Sequence, residues 1–324
     1  MRGFELLVRK PRTLAEAERG RTPRVVWQVL IYIGIILAGS LVGGIVMMIP
    51  SALWGIVHHV AASDLRNQLS SPEMAWLASA EMLYATALVL WGVILYVRRS
   101  ERRSWYSMGF GRGNIAGRYA GGYLLGVLAI SAVVGVEALC GAVRFEGWAG
   151  AEWWMLLLFF GGFAIQGMEE ELVLRGGLMV SASTRMPVWG AVSLNSVLFA
   201  LLHLLNSGIT VLAVLNLVLF GVFASLLFLR TDSIWGVGAF HSAWNFFQGN
   251  IFGAEVSGGG MPQGSCLLEM QALPGSDLIH GGAFGPEGGV VVTAFYLLAI
   301  ALVLWWPERK PAAGKAVGRT NDWR

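Results

Sequence analysis

The sequence predicts an all-α, polytopic membrane protein with about eight transmembrane helices around a buried polar cavity. Of its 324 residues 56% are hydrophobic and only 13% are charged, whereas a soluble domain carries about 25% charged residues. The mean hydropathy is +0.62. The basic residues form clusters beside apolar runs instead of covering a soluble face, which excludes a nucleic acid as a partner and indicates a lipid bilayer.

Apolar runs of spanning length define the predicted helices, because about 20 residues cross the hydrocarbon core. The predicted spans are residues 25–49, 74–97, 119–142, 153–180, 187–205, 209–229, 234–252 and 290–306. Together they make one membrane domain over residues 25–306.

The lysine and arginine residues fix the predicted orientation. Twenty-one of the 23 lie in the predicted termini and in the turns on one side of the spans, and only Arg66 and Arg144 lie on the other. The positive-inside rule then places the basic tails 1–24 and 307–324 in the cytoplasm and the domain in the plasma membrane. For the N-terminal tail we expect disorder, with a short interfacial helix as the alternative.

Residues 253–289 hold most of the loop glycines, and we expect a loosely ordered outer loop there. Cys140 and Cys266 both fall towards the outer face. Two free thiols are the favoured prediction, and a disulfide is the alternative.

Polar residues inside the predicted spans call for an explanation, because placing a polar side chain in lipid costs free energy. We interpret Glu81, Glu137 and Asn195 as isolated hydrogen-bonding groups that pack helices together. The remaining polar residues fall on three spans. They are Glu169, Glu170, Glu171 and Arg175 on the fourth, His203 on the fifth, and His241 and Asn245 on the seventh.

Spacing within the spans suggests separate tasks. Arg175 follows Glu171 by four residues, which is the spacing of a helical ion pair, so Glu170 is left free. His241 and Asn245 share one helix face in the same way, as do Phe199 and His203. Counting residues from the turns near Arg185 and Arg230 places the three clusters level, in the cytoplasmic half of the bilayer.

A glutamate beside a neutral histidine can hold and deprotonate a water molecule, and a second histidine with an asparagine can stabilise an oxyanion. These are the parts of a hydrolase that attacks a peptide bond with water. No serine or cysteine occupies a matching position, so a covalent nucleophile is not implied. Glu170, His203 and His241 are also residue types that bind zinc, although an HExxH pattern is absent.

Three short segments carry a family resemblance: "EELVLR" (170–175), "FALLH" (199–203) and "HSAWN" (241–245). They resemble the EExxxR, FxxxH and HxxxN motifs of the CAAX prenyl protease 2 and bacteriocin-processing family of intramembrane endopeptidases, also called the Abi or CPBP family. The resemblance covers residues 150–255.

The resemblance implies an eight-helix fold whose catalytic cavity opens to the cytoplasm. It also implies roles for the motif residues. Glu170 resembles the catalytic glutamate and His203 its partner, while His241 and Asn245 resemble the oxyanion pair. Glu171, Arg175 and Phe199 are supporting residues, and Glu169 has no role in the family pattern.

The resemblance leaves the cofactor and the substrate open. A glutamate-dependent reaction without a cofactor is favoured, and a zinc-dependent metalloendopeptidase is the alternative. We expect a peptide or a membrane protein as the substrate. The other functions considered are a catalytically silent scaffold or immunity protein with the same fold, and a proton-coupled transporter. A transporter would show paired broken helices and internal pseudo-symmetry, and the sequence shows neither.

Overall fold

The computed structural model describes residues 5–8, 10–69 and 71–306. Helices dominate this part of the chain. In chain order they are α1 (Glu5–Val8), α2 (Arg12–Ala17), α3 (Val25–Val57), α4 (Ala62–Leu69), α5 (Ala75–Arg99), α6 (Ile115–Leu139), α7 (Trp153–Glu171), α8 (Val180–Ala182), α9 (Val188–Leu202), α10 (Val211–Thr231), α11 (Ile234–Phe246), α12 (Asp277–His280) and α13 (Val290–Trp305). Two π-helical segments, Leu172–Met179 and Phe247–Ile251, continue α7 and α11.

Each of the eight predicted spans overlaps one of the longer helices. Four of them, α3, α5, α6 and α10, are long and apolar enough to cross a membrane, and α9 and α13 are shorter apolar helices. The chain is therefore an integral membrane protein. The number of eight spans stays a prediction, because α7 and α11 carry the polar motif residues and meet neither description.

The helices pack in two connected groups. In the first, α3 contacts α5, α5 contacts α7, and α11 lies between α7 and α6; in the second, α9 and α13 both contact α10. One apolar core joins the two groups. The glycines Gly122 and Gly126 let α6 approach α11, since a Cβ at either position would collide with the main chain of that helix. The core therefore positions α11 centrally, between the helices that carry the other motifs.

The two ends of the bundle differ in composition. At the basic end, Arg185 donates to the carbonyl of Thr22 at 2.5 Å, and Arg230 donates to the carbonyl of Val303 at 3.0 Å. Exposed tryptophans mark both ends, as in membrane-interface belts: Trp27, Trp189 and Trp305 at the basic end, and Trp148 and Trp153 at the opposite end.

The expectation of a loosely ordered outer loop is wrong. Within residues 253–289, strand β2 (Leu268–Ala272) pairs antiparallel with β1 (Val143–Trp148), and Asn250 accepts a hydrogen bond from the Leu267 amide at 2.7 Å. The prediction of an all-α fold missed this two-stranded sheet. Both strands do alternate apolar and polar residues, VRFE in β1 and LEMQA in β2, but they are short and far apart in sequence, and the sequence analysis did not use this signal.

The prediction of a disordered N-terminal tail is also wrong for the described part of residues 1–24. Helix α2 packs on the basic end through Thr13, Leu14 and Ala17, which are all buried. The amide of Thr13 donates to Asp232 Oδ1 at 2.9 Å. Residues 1–4 and 9, and the whole predicted tail 307–324, lie outside the described residues.

Candidate active site

The glutamate motif lies where α7 changes from an α-helix to a π-helix. Glu171 is the last residue of α7, and Arg175 lies inside the π-helical segment Leu172–Met179. The histidine motif of α11 is likewise followed by a π-helical segment, Phe247–Ile251. Short π-helical insertions occur frequently at functional sites. No pattern in the sequence predicted either segment.

A close approach of α7 and α11 brings the two motifs together. A Cβ on Gly167 would lie 2.6 Å from both the amide nitrogen and the hydroxyl oxygen of Ser242, so only glycine fits at this position. Gly167 lies three residues before Glu170, and Ser242 follows His241. The contact therefore places the glutamates of α7 opposite the histidine and the asparagine of α11.

Glu171 lies at the centre of a buried charged triad. Its Oε1 atom accepts a hydrogen bond from Arg175 Nη1 at 3.0 Å and lies 2.9 Å from His241 Nδ1. The Glu171 and Arg175 side chains are fully buried. The Arg175 guanidinium also lies 4.9 Å from the ring centre of Phe199 and 5.3 Å from that of Phe220. The predicted Glu171–Arg175 pair is present, and its contact with His241 was not foreseen.

Glu170 belongs to a second chain of contacts. Its Oε1 atom accepts a hydrogen bond from Gln166 Nε2, and the side-chain oxygen of Gln166 accepts one from Asn245 Nδ2 at 3.0 Å. Its Oε2 atom lies 3.8 Å from His241 Nε2, which is too long for a hydrogen bond. The sequence analysis missed Gln166, although its position four residues before Glu170 places both side chains on one helix face.

His203 approaches this cluster from α9 through Phe199. The His203 ring is centred 4.6 Å from the Phe199 ring, which in turn is 6.2 Å from the His241 ring. His203 Nδ1 lies 2.8 Å from the Phe199 carbonyl oxygen, so Nδ1 carries the proton and a neutral ring presents a free lone pair on Nε2. The described residues show no hydrogen bond between His203 and Glu170.

His203 lies at the end of α9. It follows the last residue of that helix, at the end farthest from the turn near Arg185. Its neighbour Asn206 donates to the carbonyl of Ser257 at 2.9 Å, within the segment 253–289. The helix α9 is shorter than the predicted span 187–205. The placement of the site in the cytoplasmic half of the bilayer stays a prediction.

Several buried polar atoms of the site have no hydrogen-bond partner in the described part of the chain. They are Glu170 Oε2, Glu171 Oε2, Asn245 Oδ1, and Arg175 Nε and Nη2. Buried polar atoms are nearly always paired in proteins, and unpaired ones call for a functional explanation or a water molecule. Their concentration around two motif helices indicates a place where water and a polar substrate group bind.

A pocket adjoins the other side of His241. Its walls come from α10, α11, α13 and the segment 253–289, and they include Phe220, Trp244, Ser257, Glu287 and Tyr296. The space open to a water-sized molecule is about 10 Å³, which is on the order of one water. In this conformation the pocket has no room for a peptide.

Zinc does not fit the described residues. Among residues 5–8, 10–69 and 71–306, no group of three or more histidine, cysteine, aspartate or glutamate side chains is arranged to hold a metal ion. The metal set Glu170, His203 and His241 therefore supports no step of a mechanism.

The remaining polar residues of the spans divide into two kinds. Glu81 accepts hydrogen bonds from the amide and the hydroxyl of Ser51 at 3.0 and 2.6 Å, and Asn195 donates to Ser225 at 2.6 Å, which confirms their packing role. Both carboxylate oxygens of Glu137 are buried without a hydrogen-bond partner among the described residues, so its packing role is not confirmed. Glu169 is buried beside Glu170 and Glu171.

Cys140 and Cys266 are free thiols, as predicted.

Comparison with known proteins gives one match. Residues 152–247 match the family model described as Rce1-like, type II CAAX prenyl endopeptidase. The matched stretch runs from the start of α7 to the end of α11 and contains all three motifs, so the family resemblance is confirmed for this part of the chain. No curated protein and no solved structure matches the chain.

Proposed function

We propose that this integral membrane protein, whose residues 152–247 form an Rce1-like domain, is an endopeptidase that hydrolyses a peptide bond with an activated water molecule. The observation that carries the proposal is the joint burial of Glu170, Glu171, Arg175 and His241, with unpaired polar atoms on three of them. An isolated structural ion pair would not require a second glutamate with a free oxygen beside the same histidine.

Glu170 is the proposed general base. Its Oε1 atom is fixed by Gln166, while Oε2 has no hydrogen-bond partner and can accept a proton from water. The Glu170 side chain is 21% exposed, more than those of Glu171, Arg175 and His241, although its Oε2 atom is itself buried. His203, with the lone pair of Nε2 free, would accept a hydrogen bond from the same water and orient it.

His241 and Asn245 are the proposed oxyanion donors. The carboxylate of Glu171 accepts from His241 Nδ1, which orients the ring; a form of the ring protonated on both nitrogens would also offer Nε2–H as a donor. The Nε2–H group of that form then points away from Glu171. Asn245 donates one amide hydrogen to Gln166 and keeps the second for the oxyanion. Arg175 balances the charge of Glu171 and fixes its carboxylate.

The proposed reaction balances in two steps. The water oxygen adds to the carbonyl carbon, one water proton passes to Glu170, and the carbonyl oxygen becomes the stabilised oxyanion. The oxyanion then collapses, the carbon–nitrogen bond breaks, and Glu170 passes its proton to the leaving amine. No covalent enzyme intermediate and no metal ion take part.

We further propose a peptide or a membrane protein as the substrate, and the plasma membrane as the location, with both termini in the cytoplasm. The charge asymmetry of the sequence supports this orientation. A silent scaffold with the same fold and a proton-coupled transporter remain as outcomes of the test.

The test is cleavage of a quenched fluorescent peptide library by the purified protein in lipid nanodiscs. The variant Glu170→Gln should lose cleavage by a factor on the order of 10² or more, because it removes the base and keeps the shape. Glu81→Gln is the matched control, since it changes a glutamate of another span that only packs against Ser51. A chelator should leave the rate unchanged. Equal cleavage by wild type and Glu170→Gln, or none by either, would contradict the proposal.

A further inference from the structure

The connection between α5 and α6 contains a buried ion pair that neither the motifs nor the proposed reaction uses. Arg103 Nε lies 2.7 Å from Glu101 Oε2, and both side chains are fully buried. Burying two charges is costly unless their geometry and their other hydrogen bonds compensate. Arg102, between them, is exposed. The pair therefore needs an explanation beyond a solvated basic turn.

The second partner of Arg103 is the π-helical segment after α7. Arg103 Nη2 donates to the carbonyl oxygens of Gly176 and Gly177, at 3.1 Å each. The change of hydrogen-bond pattern in a π-helical turn leaves carbonyl groups that other partners must satisfy when they are buried. One guanidinium nitrogen thus serves two adjacent carbonyls of the segment Leu172–Met179.

Glu101 contacts the chain just after the C-terminal end of the same segment. Its two carboxylate oxygens lie 2.8 and 2.7 Å from the hydroxyl of Ser181, in the short helix α8 that follows the π-helical segment. The main-chain carbonyl of Glu101 accepts from the amide of Arg21 at 2.6 Å, which connects the pair to the N-terminal segment. The pair therefore bridges the main chain of the π-helical segment and the residue just beyond it.

Arg175 is the motif residue beside this bridge, and the bridge can therefore affect the direction of its side chain. Arg175 directly precedes Gly176, and it holds Glu171, which in turn contacts His241. A π-helical turn rotates the side chains that follow it by a different angle from an α-helical turn. In this π-helical form the Arg175 guanidinium keeps its four-residue contact with Glu171 and also lies over the rings of Phe199 and Phe220.

We propose that Glu101 and Arg103 are positioning residues that hold the segment Leu172–Met179 in its π-helical form and thereby fix where the Arg175–Glu171 pair lies against His241. The catalytic consequence rests on the proposed function. The structural consequence, a change in the surroundings of His241, does not. The two can be measured separately.

The test compares two variants with a matched control in nanodiscs. The double variant Glu101→Gln/Arg103→Gln removes both charges and so leaves no buried charge unpaired, while Arg103→Lys keeps a charge but not the two-carbonyl contact. Arg102→Gln removes one positive charge from the same connection, at an exposed position. Kinetics give kcat and KM, and ¹³C-histidine NMR reports the ring of His241, assigned by its loss in His241→Gln.

We expect the double variant to lose about 10-fold or more in kcat with KM nearly unchanged, since small misplacements of catalytic groups have effects of this size. The His241 ring resonances should move as well. Arg103→Lys should fall between the double variant and wild type, and Arg102→Gln should match wild type in both measurements.

Two results would overturn the proposal. One is a folded double variant with wild-type His241 resonances. The other is a double variant that unfolds, because the pair would then hold the fold and not the site. If the wild type cleaves no peptide, the proposed function fails, and the NMR comparison alone decides the positioning role.

Discussion

Glu171 Oε1 lies 2.9 Å from His241 Nδ1 and 3.0 Å from Arg175 Nη1, so one carboxylate oxygen connects the glutamate motif with the histidine motif. This contact crosses from α7 to α11. It gives Glu171 a task that its helical pairing with Arg175 does not reveal. Its neighbour Glu170 makes no such pair and is therefore free for the proposed role of general base.

Replacing Glu171 should harm both stability and activity. In Glu171→Gln the buried guanidinium of Arg175 loses its counter-charge, and breaking a buried pair costs about 3–5 kcal/mol. The measurement is thermal unfolding in nanodiscs together with the cleavage rate. Glu169→Gln is the control, since Glu169 makes no ion pair in the described chain. Equal melting temperatures for the two variants would contradict the account.

Replacing Gln166 should lower activity with a small effect on stability. Gln166→Met keeps the volume but removes the hydrogen bonds to Glu170 and Asn245. We expect kcat to fall about 10-fold at a nearly constant KM, because the base and an oxyanion donor lose their orientation. Gln271→Met, on the exposed strand β2, serves as the control. An unchanged kcat in Gln166→Met would exclude an orienting role.

Gly167 should tolerate no side chain. In Gly167→Ala the new Cβ would lie 2.6 Å from the Ser242 amide nitrogen, so α7 must move away from α11. Overpacking of this kind costs about 1–3 kcal/mol. Both the melting temperature and the cleavage rate should fall. Gly135→Ala on α6 is the matched control, because nothing lies within 4 Å of its added Cβ, and it should be neutral or slightly stabilising. A melting temperature equal to that of this control would contradict the close approach.

The two thiols provide a test of orientation. An impermeant maleimide added to intact cells should label both cysteines, Cys140 fast and Cys266 slowly, because Cys140 is exposed and Cys266 is half-buried. Burial raises the pKa of the Cys266 thiol above its usual value. The thiolate fraction of Cys266 at neutral pH is therefore reduced, and its labelling rate should increase as the pH is raised into the alkaline range. Labelling only after the membrane is opened would reverse the predicted orientation.

The helices and the motif residues could be predicted from the sequence, because both depend on local patterns. Apolar runs determine where the eight longer helices lie, namely α3, α5, α6, α7, α9, α10, α11 and α13, and four-residue spacings determine which side chains share a helix face. The pair Glu171–Arg175 is of this local kind, and it is present as predicted.

Features that depend on distant residues could not be predicted in this way. The contact of Glu171 with His241 spans 70 positions of the chain. The π-helical form of Leu172–Met179 has partners in the connection before α6, and the strands β1 and β2 pair across a long stretch of chain. Helix α9 ends earlier than its apolar run, so its last residue could not be predicted from hydropathy alone.

The measurement that tests the central claim most directly is a double-mutant cycle on Glu170 and His203. Cleavage rates are compared for wild type, Glu170→Gln, His203→Gln and the double variant, with Glu81→Gln as the control. If both residues act on one water molecule, the double variant should be about as slow as the slower single variant, since groups that act as a unit have non-additive effects. Losses that multiply in the double variant would show that the two residues act independently, and they would contradict the account.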